Sequence, residues 1–571
     1  MTQSLLVDRD IKIPMRDGVK LYADIYRPQT SNRLPVLLER TPYGKGFSET
    51  SFALFAASQG YAVVIQDTRG RWASEGDSYP FVSEKNDGYD TLEWINQQPW
   101  FNGRAGMFGC SYVGYTQYTA AVTRHPTLKT IIPAATFTCP DEIFYPGGAF
   151  ALGTGLSWSL LAGVQMAILR EPIIEAQKAP LWTQWVSAVN GMTSGATFQH
   201  LPLEEMTLVG KNGIASSFSD YLQHLPGDLY WQPMDCPYDL IDIPALHFNG
   251  WYDLFIGRTL EQFTTLKRRG KAAQKLVVGP WVHCGADGLV GEVDFGIQSY
   301  AMMVLPDEIK LRWFDAWLKD QPNGILEEPP IRLFVMGVNQ WRDETEWPLA
   351  RTRITPYYLH SHGGANSLHG DGILSSAPPE IEPADTYLYD PRNPVPTRGG
   401  GLCCWNAALS PGAYDQRPVE SRPDVLVYTT PPLASDLEVT GPIQVNLWAA
   451  SSASDTDFTA KLVDVGPCGF ARNIQEGIVR ARYRKAGEES LLQPGEPYQF
   501  TIDVGVTSNV FKAGHCLRLE ISSSNFPRYD RNANTGSMPR SQADLKPALQ
   551  TIFHTDEYPS HILLPVIPGN K

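Results

Sequence analysis

The chain has 571 residues, 43% hydrophobic and 19% charged, with a formal net charge of −14 and no basic block or stripe. That is the make-up of a folded protein of two to four domains with large cores, and it argues against nucleic acid as a partner. No apolar run approaches the about 20 residues of a membrane helix, and the opening "MTQSLLVDRDIKIPMRDG" lacks the basic start and apolar core of a signal peptide. The expectation is a cytoplasmic protein with no membrane partner.

"IKIPMRDGVKLYADIYRP" alternates apolar and polar residues on both sides of Asp17–Gly18 and predicts a β-hairpin. "LPVLLER" (34–40) and "YAVVIQD" (61–67) are nearly continuous apolar runs, as in parallel strands covered on both faces. "SETSFALFAASQG" between them predicts a helix ending at Gly60, and "DGYDTLEWINQQ" (87–98) a second. "AGMF" (105–108) and "LKTIIPA" (128–134) are the next strands. This alternation means an α/β domain with a mostly parallel sheet.

From 141 to 236 the rhythm breaks into helical stretches such as "TGLSWSLLAGVQMAIL" and "PLWTQWVSAVN". It resumes with "IPALHFNG" (243–250), "GRTLEQFTTLKRR" and "KLVVGP" (275–280). After Trp347 come short strands set apart by Pro, Gly and Asp: "ADTYLYD", "DVLVYTT", "IQVNLWAA", "DFTAKLVDV", "GIVRARYR", "PYQFTIDV" and "CLRLEISSS". The expected organisation is an α/β domain at 1–140 and 237–347, a helical cap at 141–236, and an all-β jelly-roll sandwich at 348–571.

"GMFGCSYVGYTQYTA" (106–120) resembles the strand–turn–helix that exposes a serine nucleophile, where the turn reads G-x-S-x-G. Here Val113 stands where the second glycine belongs, and Gly114 follows one place late. Serine needs a base and a group to orient that base. In this fold they follow in the order Ser, acid, His. Asp253 in "GWYDLF" and His283 in "GPWVHCG" each lie just past a predicted strand, on the edge where open α/β sheets bind ligands. Taken singly, Ser111 reads as a turn serine, Asp253 as a helix cap and His283 as a surface histidine; together and in order they read as a triad. The oxyanion donors expected are the backbone N–H of Tyr112 and, from the loop "RTPYGKG", the phenol of Tyr43. An unperturbed histidine places the pH dependence of such a site near about 6.5.

Eight cysteines, at 110, 139, 236, 284, 403, 404, 468 and 516, show no C-x-x-C and no zinc-type Cys/His spacing. They read as mostly free thiols, with no metal and no cofactor required.

The segments "RTPYGK", "QDTRGRWASEG", "GCSYVG", "GWYD" and "GPWVH", together with "DTDFTAKLVDV" and "SSSNFPRYDRNANTG" in the sandwich, resemble the bacterial cocaine esterase family. That family takes in α-amino acid ester hydrolases, some β-lactam acylases and, more remotely, X-Pro dipeptidyl peptidases. The resemblance covers nearly the whole chain. It implies an α/β-hydrolase with a helical cap and a C-terminal jelly roll, with Ser111 as nucleophile, His283 as base, Asp253 as its orienter, and Tyr43 plus the Tyr112 N–H as oxyanion hole. The family's turn reads S-Y-x-G, so the late Gly114 matches it. The resemblance also places Trp158 and Phe255 around the acyl group. In "GGGLCCWN" it sets Cys403 and Cys404 where cocaine esterase carries larger apolar side chains. The carboxylates that bind a substrate ammonium in the amino acid ester hydrolases are replaced by Leu254, Phe255 and Ile256.

The reading is a serine hydrolase of small neutral esters with an apolar or aromatic acyl group, acting through an acyl-enzyme. An amidase or acylase of the same family and a non-catalytic binding protein on a hydrolase scaffold are the alternatives. A homodimer stays open.

Overall fold

The computed structural model describes residues 4–569 except 48, 405–407 and 486–487. A 10-stranded mixed sheet forms the first half. Its strands are β1 (Leu5–Pro14), β2 (Lys20–Pro28), β3 (Leu34–Thr41), β4 (Ala62–Asp67), β5 (Phe101–Cys110), β6 (Leu128–Ala134), β7 (Ala245–Tyr252), β8 (Gln274–Val282), β9 (Ile331–Val335) and β10 (Gln340–Glu344). They lie in the order β1-β2-β4-β3-β5-β6-β7-β8-β9-β10. From β4 to β9 neighbouring strands run parallel, while the β1–β2 hairpin and β10 add antiparallel edges. β3, β4 and β7 are buried at every position, which is why their sequences show no alternation.

Helices cover both faces. On one lie α1 (Thr50–Ser58) and α5 (Pro306–Leu318), whose Phe52, Ala56, Trp313 and Phe314 share a core with Leu37, Val63 and Phe108. On the other lie α2 (Glu84–Asn96) and α3 (Tyr112–Ala121), packed with Val36, Val64 and Met107. α4 (Ile256–Arg269) follows β7 and packs Ile256, Leu260 and Phe263 against Leu276 and Val278. β3 pairs with β4 on one side and β5 on the other. The chain thus reverses its direction of travel there, and the carboxyl ends of β3, β5, β7 and β8 open onto one crevice.

Between β6 and β7 the described elements are helical only. A continuous helical stretch runs from Leu152 to Arg170, with a wider π turn over Ser159–Val164. By length and composition it is long and apolar enough to cross a membrane, which corrects the expectation that no apolar run approaches that length. Leu156, Leu160, Val164 and Ile168 instead enter the same core as α2 and α3. The helix Glu175–Thr193 carries Pro180 at its sixth position, where the ring removes one i→i−4 hydrogen bond.

The all-β C-terminal part is an 11-stranded sheet running from Arg353 to Ile567 around a second core that includes Leu359, Tyr387, Phe458, Phe500 and Leu519. It is tied to the first sheet beside the crevice. The Tyr252 hydroxyl donates to the Asn473 carbonyl, and the Gln475 amide to that of Trp251. On the cap side the Phe150 N–H donates to Asp530, which also accepts from the buried Arg480.

Candidate active site

β5 ends at Cys110 and α3 begins at Tyr112, so Ser111 carries the whole turn. Its backbone sits at φ 64°, ψ −126°, a strained conformation for a side-chain-bearing residue and typical of a site where geometry is enforced. The surrounding structure holds it: Ser111 N–H donates to Ala134, and its carbonyl accepts from Gly114 N–H, Tyr115 N–H and the Thr136 hydroxyl. The odd glycine spacing has a steric cause. A Cβ on Gly109 would fall 2.2 Å from Val113 Cγ1, and one on Gly114 would fall 2.5 Å from Thr136 Cβ. The helix approaches β5 through Val113 and the segment just past β6 through Gly114, so the small residue is needed one place later.

β8 delivers His283 and β7 delivers Asp253 to the same crevice. His283 Nε2 lies 3.0 Å from Ser111 Oγ, and His283 Nδ1 lies 2.5 Å from Asp253 Oδ2. The other carboxylate oxygen of Asp253 accepts the Phe255 N–H at 2.6 Å. Asp253 and His283 are both buried, 2% and 8% exposed. Burial pushes the His283 pKa down, but the charge of Asp253 and the hydrogen bond to it outweigh that and raise it above the ordinary histidine value. This corrects the expectation of about 6.5. A base is active when neutral, so hydrolysis is expected to rise with pH through a midpoint above about 6.5. The kcat/KM profile of the free enzyme checks this; a midpoint at or below the model-peptide value would contradict it.

Tyr43 follows β3. Its phenol faces Ser111 and Trp158, and burial pushes its pKa up to about 12, so it keeps its proton and can donate at neutral pH. Arg71 and Trp72 hold the turn by donating to the Pro42 carbonyl at 2.9 and 3.1 Å. Tyr112 is the first residue of α3, where N–H groups have no intrahelical acceptor. Its side chain is locked in place: the hydroxyl donates to Glu84 and accepts the Phe81 N–H. Glu84 in turn pairs with the fully buried Arg40 at 2.8 Å.

Trp158 from the cap stacks on Tyr112 and Phe81, with centroids 6.1 and 5.9 Å apart. Phe255 meets the edge of His283 at 5.4 Å. The loop of Gly399–Cys404 packs on the Asp253 turn; a Cβ on Gly401 would come 3.1 Å from the Asp253 carbonyl. Cys403 is buried and interacts electrostatically with His283 and Asp253, and both Cys403 and Cys404 do so with Tyr43. The Cys404 contact and burial push the Cys403 thiol well up, which makes it inert. Trp405 and Asn406 of the same loop lie outside the described residues. All nine residues singled out from the sequence, Tyr112 for its backbone N–H, therefore gather at one place.

One pair was missed. Cys110 and Cys284, expected among mostly free thiols, are joined by a disulfide with Cα atoms 5.9 Å apart; the other six cysteines are free. Each bonded cysteine adjoins a triad position, in "GCS" and in "HCG". That adjacency was the available signal, and spacing rules built on cysteine-to-cysteine distances cannot detect it.

A doubly covered parallel sheet with Ser, His and Asp at its carboxyl edge defines a serine hydrolase of the α/β-hydrolase type, and comparison with known proteins specifies carboxylic ester hydrolysis. Residues 17–285 match the X-Pro dipeptidyl-peptidase (S15) family, and residues 323–563 match the X-Pro dipeptidyl-peptidase C-terminal non-catalytic domain. The chain is 42% identical to the cocaine esterase of Rhodococcus sp. (strain MB1 Bresler) over 574 residues, 98% of each. Among solved structures, an α-amino acid ester hydrolase superposes with a TM-score of 0.78 at 26% identity, covering 99% of this chain and 97% of its own. An aminopeptidase from a marine sediment Thaumarchaeota archaeon shares the fold, with a TM-score of 0.78 at 24% identity over 100% and 97% of the two chains. The chain belongs to the cocaine esterase family of serine hydrolases.

Proposed function

We propose that Ser111, His283 and Asp253 are the catalytic triad of an esterase that cleaves small neutral esters with an apolar or aromatic acyl group. The observation that carries this is the unbroken line Ser111 Oγ, His283 Nε2, His283 Nδ1, Asp253 Oδ2, with contacts of 3.0 and 2.5 Å. In this reading His283 takes the Ser111 proton as Oγ attacks the ester carbonyl. Asp253 keeps the ring in the Nδ1–H tautomer and stabilises the imidazolium. The Tyr43 phenol and the Tyr112 N–H donate to the oxyanion. His283 then protonates the leaving alcohol, and water attacks the acyl-Ser111 ester by the same route. The hydrolase part (1–140 and 237–347) carries this chemistry, the cap (141–236) adds Trp158, and the sandwich (348–571) adds the cysteine loop.

A screen of aryl and p-nitrophenyl esters against matched amides tests the reaction class. Turnover of esters alone is expected. The family match to a peptidase favours a second reading, amide hydrolysis, and equal turnover of the amides would establish it.

Substrates with a free α-amine are expected to be poor. Leu254, Phe255 and Ile256 give an ammonium no partner, and three acids of the cavity beside them are engaged: Glu142 and Glu261 pair with Arg258, and Glu476 with Arg528. Burying an unpaired ammonium costs several kcal/mol. The N-acyl ester should therefore exceed the free-amine ester at least tenfold in kcat/KM, and a preference for the amine would place the enzyme's specificity with the amino acid ester hydrolases.

Cys403 and Cys404 are read as lining a widened acyl pocket. Each methylene-sized group removed from a wall forgoes about 0.8 kcal/mol of burial. Cys404→Phe should therefore tighten benzoyl esters several-fold and penalise longer acyl chains. Unchanged acyl selectivity would remove the loop from the site.

A further inference from the structure

The disulfide occupies an unusual position for a structural crosslink. It joins the residue before Ser111 to the residue after His283. Cys284 is exposed and Cys110 half-buried. Both also line a cavity of about 330 Å³ whose walls include Phe52, Ala135, Trp281 and Lys310 but neither Ser111 nor His283. A reductant therefore reaches the bond from solvent without entering the substrate crevice.

The donor atoms of Cys110, Cys284 and His283 all lie within 4.8 Å of one another, the one such group of three among the described residues. Nδ1 of His283 is committed to Asp253, which leaves for a metal Nε2, the nitrogen now facing Ser111 Oγ. A His that donates its other N–H to a carboxylate is the arrangement that orients and strengthens metal-binding imidazoles. Two thiolates and an imidazole suit Zn²⁺, with the fourth position left to water. Tetrahedral zinc holds two sulfurs about 3.8 Å apart, within reach of cysteines whose Cα atoms are 5.9 Å apart.

We propose that reduction of Cys110–Cys284 creates an inhibitory zinc site made of Cys110 Sγ, Cys284 Sγ and His283 Nε2. A dithiol reductant gives up two electrons and two protons to the disulfide, leaving two protein thiols and a cyclic disulfide. Zn²⁺ then binds both sulfurs as thiolates, releasing two protons, and takes the Nε2 lone pair. That lone pair is the one that accepts the Ser111 proton in the function proposed above, on which the inhibition rests. The oxidised enzyme, with both sulfurs bonded to each other, has no such site. The disulfide thereby protects the base from metal, and the reduced chain becomes a zinc-sensitive esterase.

The test uses the full-length enzyme, oxidised or reduced by excess dithiol and then freed of it by anaerobic gel filtration, with Zn²⁺ alone as probe. Bound zinc is read by competition with a chromophoric chelator. Co²⁺ in its place is read for a near-ultraviolet thiolate-to-cobalt band. Neither readout needs substrate. The reduced chain is expected to bind one zinc more than the oxidised chain, to show the band, and to lose at least tenfold of its own zinc-free rate, restored by EDTA. Cys284→Ser, and Cys110→Ser should the first not fold, is expected to weaken both binding and inhibition at least tenfold. Equal zinc binding by the two redox forms overturns the proposal, as does a gained ion without the thiolate band. Undiminished inhibition of the serine variant overturns it too. Failure of the zinc-free enzyme to hydrolyse esters would defeat the proposed function alone, since the metal readouts stand apart from it.

Discussion

Ser111→Ala and His283→Ala are each expected to bring ester hydrolysis to near background, a loss on the order of 10⁴-fold or more. Ser111 Oγ is the one group placed 3.0 Å from the base, and alanine removes it without disturbing the backbone contacts that hold the turn. Those contacts run through the Ser111 N–H and carbonyl, so the turn and the cooperative unfolding transition should survive. His283→Ala leaves Asp253, 2% exposed, with its Phe255 N–H bond but without the imidazole, so some stability is lost along with activity. Triad members act as a unit, and the double variant should be scarcely slower than either single one. Additive losses would mean that the two residues act separately.

Tyr43→Phe is expected to lower kcat by about 10²–10³-fold, roughly 3–4 kcal/mol, with a much smaller change in KM. The phenol stands against Ser111 and Trp158, where charge develops on the substrate oxygen in the tetrahedral intermediate and not in the ground state. Its raised pKa keeps the proton on the phenol throughout the working range, so the effect should not vary between pH 6 and 9. Because the Tyr43 turn is held through Pro42 by Arg71 and Trp72, the phenylalanine ring should keep its place. An effect confined to KM would make Tyr43 a binding residue only.

Much of this site was legible because its chemistry is local to strand ends. Three runs of buried apolar residues, β5, β7 and β8, each stop one residue short of a polar side chain with a catalytic use, and order along the chain did the rest. The nucleophile turn looked irregular at Val113, since what decides it is the approach of α3 to β5 and β6, a tertiary distance. The His283 pKa was misjudged for a similar reason: burial and Asp253 act in opposition, and only the 2.5 Å contact tells which prevails. The cysteine pair, 174 residues apart in sequence, comes together only when β5 and β8 are laid in one sheet. The apolar helix from Leu152 to Arg170 was broken in the sequence by glycines and serines. Its length became visible once Leu156, Leu160, Val164 and Ile168 lined one face of a continuous rod and entered the core. Several strands of the C-terminal sheet, among them Arg353–His360 and His561–Ile567, carry prolines and polar residues that mask the alternation. They are held by pairing with each other and not by local propensity.

The most direct measurement is to react the enzyme with a fluorophosphonate, digest it and locate the adduct by mass spectrometry, alongside Ser111→Ala and His283→Ala. One adduct per chain on Ser111 is predicted, formed at a rate that follows the same pH midpoint as ester hydrolysis, absent in Ser111→Ala and slowed at least a thousandfold in His283→Ala. An adduct on any other residue, or undiminished labelling and turnover in Ser111→Ala, would contradict the triad.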